Sequence, residues 1–323
     1  MALRVHPNER VKPAIENEVR HFISRLSIIG PLLLMMCTHV FSLEIEPEIF
    51  EHGLISTRSV EFCASFSSDM NEVYFVKSTD RWGKGKLNSS IYFSIKKDGK
   101  WNKPSIVSFS GIYNDSDPHL SKDGRTLHFI STRPSKALVE SPDIWMVQRF
   151  NDEDWGKPER LPEPINSAKN EFGPTTTSNG DIYFVSDRKG GYGHGDIYKA
   201  KLTDEGFLTP MNLGSVINSS KGEWNLELSD DGKIMIFEAS QRDGNKSSYG
   251  DLYISFKQNS DWTIPQNITE INTTGSDLCP DLNSTNETLS FSSSKALRNE
   301  WVNIYQVNFQ SIFLKYQSTA VKE

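Results

Sequence analysis

The sequence predicts an all-β fold in which five four-stranded antiparallel units close into a β-propeller. Three observations support this prediction: one block of sequence recurs five times, each copy contains short strand-like segments, and one more such segment precedes the first copy. The chain has 323 residues, of which 11% are aromatic. Its many Gly, Asn and Ser residues favour short strands joined by turns over helices.

The recurring block opens with an acidic residue, a short strand and a turn, and continues with a second strand that contains Phe. Copies start 52 to 56 residues apart, and a fixed period of this kind is the signature of a repeat fold. Copies two to four place Asp-Gly or Asn-Gly in the turn, which suits a tight hairpin between the two strands. The repeats start at Glu61, Asp115, Glu171, Glu223 and Asp277.

A third and a fourth strand follow in most copies. The third reads SIYFSI at 90–95 and DIYKAK at 196–201, and the fourth is marked by an aromatic residue three positions before Pro, as at Trp101 and Pro104. Because Pro cannot donate to a strand ladder, this fourth strand belongs at the outer edge. Four antiparallel strands repeated around an axis make the blades of a propeller.

The fifth copy lacks a fourth strand, whereas residues 47–54, ahead of the first copy, are strand-like and unassigned. We expect this segment to supply the missing outer strand of the last blade, which closes the ring and removes exposed sheet edges. The predicted propeller covers residues 43–315, and residues 316–323 form a tail.

The repeat pattern resembles the WD-like repeat of TolB-like propellers from bacterial cell envelopes. The residues of copy two that carry the resemblance are Pro118, Ser121, Asp123, Gly124, Phe129, Arg133 and Trp155. It implies a binding or scaffold module of the cell envelope. TolB-like members usually have six blades, so a six-bladed propeller is the alternative to the five that the repeats predict.

The amino-terminal region carries the longest apolar run, at residues 26–43, preceded by Arg20 and Arg25. With small Ser42 at its end, this run predicts an export signal over residues 1–42. A single membrane anchor is an alternative, and lipid attachment at Cys37 is a weaker one because Met35 and Met36 are bulky. We therefore expect an exported protein, periplasmic or secreted, and a monomer.

The five opening acids must form a ring around the axis if the propeller is real. One interpretation is a binding site for a cation or polar ligand. The other is structural, because each copy also carries a cation after its second strand that can pair with carboxylates, including Asp143, Asp196 and Asp251 at the third strands. These cations are Arg81, Arg133, Arg188, Arg242 and Lys295.

Residues that break the repeat symmetry are better candidates for ligand binding. The position two after each opening acid holds Cys63, Asp117, Gly173, Asn225 and Cys279. Asp117 and Asn225 are candidate ligand contacts near the axis. Cys63 and Cys279 lie in blades that become neighbours on closure, which predicts either a disulfide or two buried thiols.

No catalytic set, metal-type Cys spacing or cofactor motif is recognisable. The glycine-rich loop 188–195 joins two strands and opens no helix, so it is not a phosphate-binding loop. The net charge of −7 argues against nucleic acid and anionic lipid as partners. We expect a non-enzymatic module that recognises a protein or glycan through one face. The alternatives are a carbohydrate-active enzyme pairing Asp117 with a ring acid, and a structural subunit of a larger assembly.

Overall fold

The computed structural model describes residues 45–81, 88–134, 141–151, 154–285, 287–295 and 301–320. The predicted signal segment, with its alternatives of an anchor and a lipidated Cys37, lies outside these residues. None of the described helices is both long enough and apolar enough to span a membrane.

Apart from one separate two-stranded hairpin, the described strands form five antiparallel sheets, which we number as blades 1 to 5 in chain order. Strand β1 (Glu48–Ile49) precedes them all. Blade 1 contains β2 (Val60–Phe66), β3 (Glu72–Ser78), β4 (Ser89–Lys97), β5 (Lys100–Trp101) and β6 (Ser105–Ile106). Blade 2 contains β7 (Asp115–Leu120), β8 (Thr126–Ser131), β9 (Asp143–Gln148) and β10 (Glu159–Arg160).

Blades 3 to 5 repeat the same order. Blade 3 contains β11 (Glu171–Thr176), β12 (Ile182–Ser186), β13 (Asp196–Ala200) and β16 (Met211–Asn212), with a side hairpin of β14 (Leu202–Thr203) and β15 (Gly206–Phe207). Blade 4 contains β17 (Gly222–Leu228), β18 (Ile234–Ser240), β19 (Asp251–Gln258), β20 (Asp261–Trp262) and β21 (Gln266–Asn267). Blade 5 contains β22 (Asp277–Leu282), β23 (Thr288–Ser293) and β24 (Asn303–Asn308).

Strand β1 completes blade 5, as the sequence predicts. It pairs antiparallel with β24, placing Glu48 opposite Gln306 and Ile49 opposite Tyr305. The amide of Phe50 adds a 2.8 Å hydrogen bond to the carbonyl of Ile304. The predicted five-bladed propeller is therefore confirmed, and the described residues form five blades rather than the alternative six.

The predicted Phe of each second strand forms the core between blades. All five are 0–1% exposed, and they are Phe75, Phe129, Phe184, Phe237 and Phe291. Four of them lie against a Tyr of the third strand at ring-centroid distances of 6.0 to 6.2 Å. The repeat therefore supplies the same aromatic layer to successive blade interfaces.

A helix that the sequence analysis did not predict follows β24. Helix α1 (Phe309–Ala320) crosses the predicted boundary between propeller and tail at residue 315. It buries Phe309, Ile312 and Tyr316 against the cores of blades 4 and 5. The spacing of these three residues places them on one helical face, so their burial stabilises the helix.

Every inner strand contains a β-bulge near its middle. The register shift lies between Phe62 and Ser65 in blade 1 and at the matching positions of blades 2, 3 and 5, and it lies one residue earlier in blade 4, between Glu223 and Leu226. The residue two after the opening acid adopts positive φ in four blades, at Cys63, Asp117, Gly173 and Cys279. A bulge bends its strand and redirects side chains. The residues at this position therefore determine which side chains face the axis.

The disc has two distinct faces. We call the side where the inner strands begin the loop face; it carries the loops that enter each inner strand and the loops between second and third strands. The opposite side, the turn face, carries the hairpin turns that follow the inner strands, together with α1.

Candidate functional site

The five opening acids are completely buried and are bound mainly by groups of their own blades. Glu61 accepts from Lys77 Nζ at 2.8 Å, Asp115 from Arg133 Nη2 at 2.8 Å, and Glu171 from Arg188 Nη2 at 3.2 Å. Glu223 lies 3.6 Å from Arg242 Nη1. Asp277 accepts from the hydroxyls of Thr273 and Ser293.

These acids hold the loops that connect neighbouring blades. Glu171 accepts from both the amide and the hydroxyl of Ser167 in the entering loop, and Arg188 also donates to the carbonyls of Pro164 and Ile165 there. The amide of Glu171 donates to Pro142 of the preceding blade at 3.0 Å. This geometry agrees with the structural interpretation of the ring, while its ligand-binding interpretation stays a prediction.

Burial raises the pKa of Glu171, Glu223 and Asp277, and that of Asp277 reaches about 6. The hydrogen bonds from neighbouring hydroxyls act in the opposite direction but do not cancel the loss of hydration.

Among the described contacts, the third-strand aspartates bind partners other than the predicted arginines, so that part of the prediction is wrong. Asp143 pairs with Arg160 of the outer strand through two bonds of 2.6 and 3.0 Å. Asp196 accepts the amides of Tyr192 and Gly193, which fixes the preceding loop. Asp251 caps its own loop in the same way.

A small cavity lies on the axis, and its volume is about 30 Å³. Five of the residues that line it are those two positions after the opening acids, namely Cys63, Asp117, Gly173, Asn225 and Cys279. The structure therefore places Asp117 and Asn225 at the axial cavity, and their role as ligand contacts stays a prediction. The opening acids themselves are not among the described residues that line the cavity.

Asp117 is half-buried in this cavity and contacts groups of two neighbouring blades. Its Oδ2 accepts from the amide of Gly173 at 3.3 Å, and its Oδ1 lies 3.4 Å from Cys63 Sγ. Burial raises the pKa of Asp117, although hydrogen bonds from Gly173 and Asn225 work to lower it. A Cβ on Gly173 would lie 2.6 Å from the Trp224 carbonyl oxygen, which explains a glycine at this bulge.

Cys63 and Cys279 lie side by side across the junction of blades 1 and 5. Their Cα atoms are 4.8 Å apart and their sulfur atoms are joined as a disulfide. Ligand atoms of Asp117 and the two cysteines all lie within 4.8 Å of one another. Sulfur atoms joined in this way are not the thiolates that bind metals.

A charged cluster lies next to the cavity toward the turn face, and the sequence analysis missed it. Lys122, in the turn of blade 2, reaches Glu227 of blade 4 with Nζ 3.3 Å from Oε1. His119 Nδ1 lies 3.6 Å from Glu227 Oε2, and His119 Nε2 accepts from the amide of Thr176 at 2.9 Å. Asp281 of blade 5 completes the cluster, accepting from the amide of Phe66.

Burial governs the charges of this cluster. It raises the pKa of Glu227 and Asp281 and lowers that of His119 well below its usual range, so that His119 is neutral. Burial also opposes the charge of Lys122, but Glu227, Asp281 and Asp230 raise its pKa overall. Lys122 thus compensates buried carboxylates that no other cation reaches among the described contacts.

The turns next to this cluster are linked to each other. Ser284 Oγ donates to the carbonyl of Ser68 at 3.0 Å, and Ser68 Oγ donates to the carbonyl of Lys122 at 2.8 Å. Turns of blades 5, 1 and 2 are thereby joined around the axis. Only 3% of the Glu227 side chain is exposed, so Lys122 rather than water compensates its charge.

The repeat pattern contains the signal for this cluster. The position four after each opening acid holds Ser65, His119, Thr175, Glu227 and Asp281, and all five line the axial cavity. This position breaks the repeat symmetry as strongly as the one that identified Asp117. The criterion that identified Asp117, a break in the repeat symmetry, therefore also identifies the cluster around Glu227.

The loop face carries apolar and aromatic side chains in solvent. Ile112 and Tyr113 lie in the loop entering blade 2, and Val216 lies in the loop entering blade 4. Tyr192 and Tyr249 lie in second-to-third strand loops and are 53% and 52% exposed. Three tyrosines therefore stand in solvent on one side of the disc.

Comparisons with known proteins agree with the fold. No protein-family model matches the sequence, and no curated protein matches it. An α-L-arabinofuranosidase from Lactobacillus brevis is similar at 10% identity and a TM-score of 0.52, over 80% of this chain and 95% of that protein. At this identity the likeness concerns the fold alone.

Two other solved structures are similar at lower scores. TolB from Acinetobacter baumannii shares 15% identity at a TM-score of 0.48, over 79% of this chain and 56% of that protein. This chain therefore spans little more than half of that TolB. The sialidase of Trypanosoma rangeli shares 11% identity at a TM-score of 0.44, over 81% of this chain and 57% of that protein.

Proposed function

We propose that this protein is a non-enzymatic binding module that recognises a protein or a glycan through its loop face. The observation that carries the proposal is the set of solvent-exposed aromatic side chains on that face, Tyr113, Tyr192 and Tyr249. Tyrosine is enriched where proteins contact partners, because it combines a rigid apolar ring with a hydrogen-bonding hydroxyl. Aromatic rings of this kind also suit the apolar faces of sugars.

The way these loops are built supports the proposal. Asp196 fixes the backbone on both sides of Tyr192, and the hydroxyl of Ser247 accepts from the amide of Tyr249 at 3.0 Å. The guanidinium of Arg133 lies 5.5 Å from the ring centroid of Tyr113. Side chains that are ordered before binding lose less entropy on binding.

The axis is less suited to chemistry on carbohydrates. A cavity of about 30 Å³ has room for roughly two water molecules, and a sugar ring is much larger. The usual glycosidase mechanism places two carboxylates on either side of a bound sugar. The small size of the cavity around Asp117 therefore disfavours the carbohydrate-active alternative.

We also propose that the protein works outside the cytoplasm as a monomer. The predicted export signal at residues 1–42 supports this location, as does the disulfide between Cys63 and Cys279, since such bonds persist in oxidising compartments.

The test compares the two faces of the disc. Tyr113→Ala/Tyr192→Ala/Tyr249→Ala removes the three rings from the loop face. Phe150→Ala/Leu314→Ala removes exposed apolar side chains from the turn face, where they are 80% and 64% exposed. Each protein is immobilised and tested against a glycan panel and against envelope and extracellular fractions of the source organism, with bound material quantified.

We expect the loop-face variant to lose at least tenfold in affinity for whatever the wild type retains, and the turn-face variant to match the wild type. Equal retention by the loop-face variant, or loss only in the turn-face variant, would refute the proposal. If the wild type turns over a polysaccharide and Asp117→Ala abolishes that activity, the enzymatic alternative replaces this proposal.

A further inference from the structure

A cleft of about 690 Å³ lies between blades 2 and 3 and opens on the turn face. Its walls are mainly apolar and include Met146, Leu161 and Pro162 of blade 2 and Leu202 and Phe207 of blade 3. This volume lies within the range of small-molecule sites in proteins, about 300–1,000 Å³. The cleft is separate from the loop face on which the proposed function depends.

The cleft lies where blade 2 differs from blade 1 at two facing positions. In blade 1, the residue before the core Phe is Tyr74, which lies opposite Phe93 on the next strand. Those rings stack at 6.1 Å, and Tyr74 meets Trp155 of blade 2 at 5.8 Å, so the interface of blades 1 and 2 is filled. In blade 2 the same pair is His128 and Met146. The cleft therefore lacks the aromatic rings that fill the corresponding space beside blade 1.

His128 brings a hydrogen-bonding group to this apolar space. It is 7% exposed and lines the cleft, and its Nδ1 is buried with no hydrogen-bond partner among the described protein atoms. A buried polar atom without a partner costs free energy, and native structures usually satisfy it. Burial lowers the pKa of His128 to about 4, so the imidazole is neutral at physiological pH.

The charged groups at the mouth of the cleft already have partners within the protein. Lys122 lies at the rim, but it is paired with Glu227 and Asp230 at 3.3 and 3.2 Å. Asp123 accepts from the hydroxyl of Ser121 and from the amide of Arg125. A similar cleft between blades 5 and 1 is instead lined by carboxylates such as Glu48 and Glu287. An uncharged ligand therefore suits the cleft between blades 2 and 3.

We propose that this cleft binds an uncharged aromatic molecule with one hydroxyl group, which hydrogen-bonds to the imidazole of His128 while its rings occupy the space that the Tyr74 and Phe93 pair fills in blade 1. A hydroxyl fits either tautomer of a neutral imidazole because it can both donate and accept. The ligand rings would contact Met146 and Phe207, as the ring of Tyr74 contacts Phe93 and Trp155 at the neighbouring interface.

The experiment uses two probes that differ by one hydroxyl, 4-phenylphenol and biphenyl, with the full-length protein. Binding is measured by titration calorimetry and by the ¹³C-methyl NMR signal of Met146. His128→Tyr/Met146→Phe copies the blade 1 pair and should fill the cleft, whereas His128→Leu removes only the hydrogen-bonding group. The loop-face triple variant is the control that separates this site from the proposed function.

We expect wild type and the loop-face variant to bind 4-phenylphenol at least tenfold more tightly than biphenyl. His128→Leu should bind the two probes equally, and the filled variant should bind neither. The proposal is overturned if wild type binds neither probe below millimolar concentration, if it binds both equally, or if the filled variant binds like wild type. If the filled variant does not fold, the comparison of wild type with His128→Leu decides the question.

Discussion

Replacing Lys122 with Met should destabilise the protein strongly and in a pH-dependent way. Lys122 joins blade 2 to blade 4 across the axis, and its ammonium lies 3.3 Å from a Glu227 carboxylate whose side chain is 3% exposed. The carboxylate of Asp281, which is 8% exposed, also acts on it. Met keeps most of the apolar stem but leaves two buried acids without a cation.

The magnitude follows from the burial of the partner. Removing one member of a buried ion pair costs about 3–5 kcal/mol, because the other charge remains desolvated. At about 2–4 °C per kcal/mol for a domain of this size, the melting temperature should fall by on the order of 10 °C.

The sign of the pH dependence follows from the raised pKa of both acids. An acid whose pKa is raised on folding favours the folded state most when it is protonated, and this contribution is lost as pH rises through the folded pKa. Without Lys122 the pKa values of Glu227 and Asp281 rise further. The deficit of the variant should therefore be largest near pH 8 and should shrink toward pH 5.

Urea denaturation at pH 5 and pH 8, followed by tryptophan fluorescence, measures this effect. Lys233→Met is the control, because Lys233 pairs with Asp231 through side chains that are 69% and 54% exposed, and its loss should change stability by less than about 1 kcal/mol. Adding Glu227→Gln to Lys122→Met should restore part of the stability at pH 8. An equal loss at both pH values, or a loss no larger than that of the control, would refute the reasoning.

Three further predictions concern the closure and the ring acids. Phe50→Ala should lower the free energy of unfolding by about 3–5 kcal/mol, measured by chemical denaturation, because the ring is buried and its centroid lies 5.1 Å from that of Phe66. A loss below 1 kcal/mol would contradict the packing of the first strand against blade 1. Burial raises the pKa of Asp277 from 3.8 to about 6, so the wild type should lose stability as the pH rises from 4 to 8. Asp277→Asn cannot ionise and should not show this loss, so its stability should increase relative to that of the wild type over the same rise in pH. The pKa shift corresponds to about 3 kcal/mol, and parallel stability curves would contradict it. Reduction should destabilise the wild type by about 2–5 kcal/mol but leave Cys63→Ser/Cys279→Ser unchanged; equal sensitivity of the two proteins would refute a stabilising disulfide.

The fold was predictable because the repeat determines it locally. Each copy carries its own hairpin turn and its own core Phe, so five aligned copies predict five blades. The role of residues 47–54 followed from counting strands. Helix α1 was missed although Phe309, Ile312 and Tyr316 have helical spacing, because the repeat pattern ends before them and gives no register for comparison.

The site was predictable only in part. Asp117 and Asn225 were found because they break the repeat symmetry, and the cluster around Glu227 and Asp281 follows the same rule. The contact of Lys122 with Glu227 could not be predicted, since it joins a turn to a strand two blades away. Such contacts depend on the diameter of the closed ring, which no local pattern contains.

The closed ring is the central claim, and hydrogen exchange of the first strand tests it most directly. The amide of Phe50 donates to the carbonyl of Ile304, and residues 48–49 pair with residues 305–306. Mass spectrometry should therefore show peptides covering residues 47–52 exchanging as slowly as those of the outer strand Glu159–Arg160. Complete exchange of residues 47–52 at the earliest time point would show an open ring and contradict the axial cavity built on its closure.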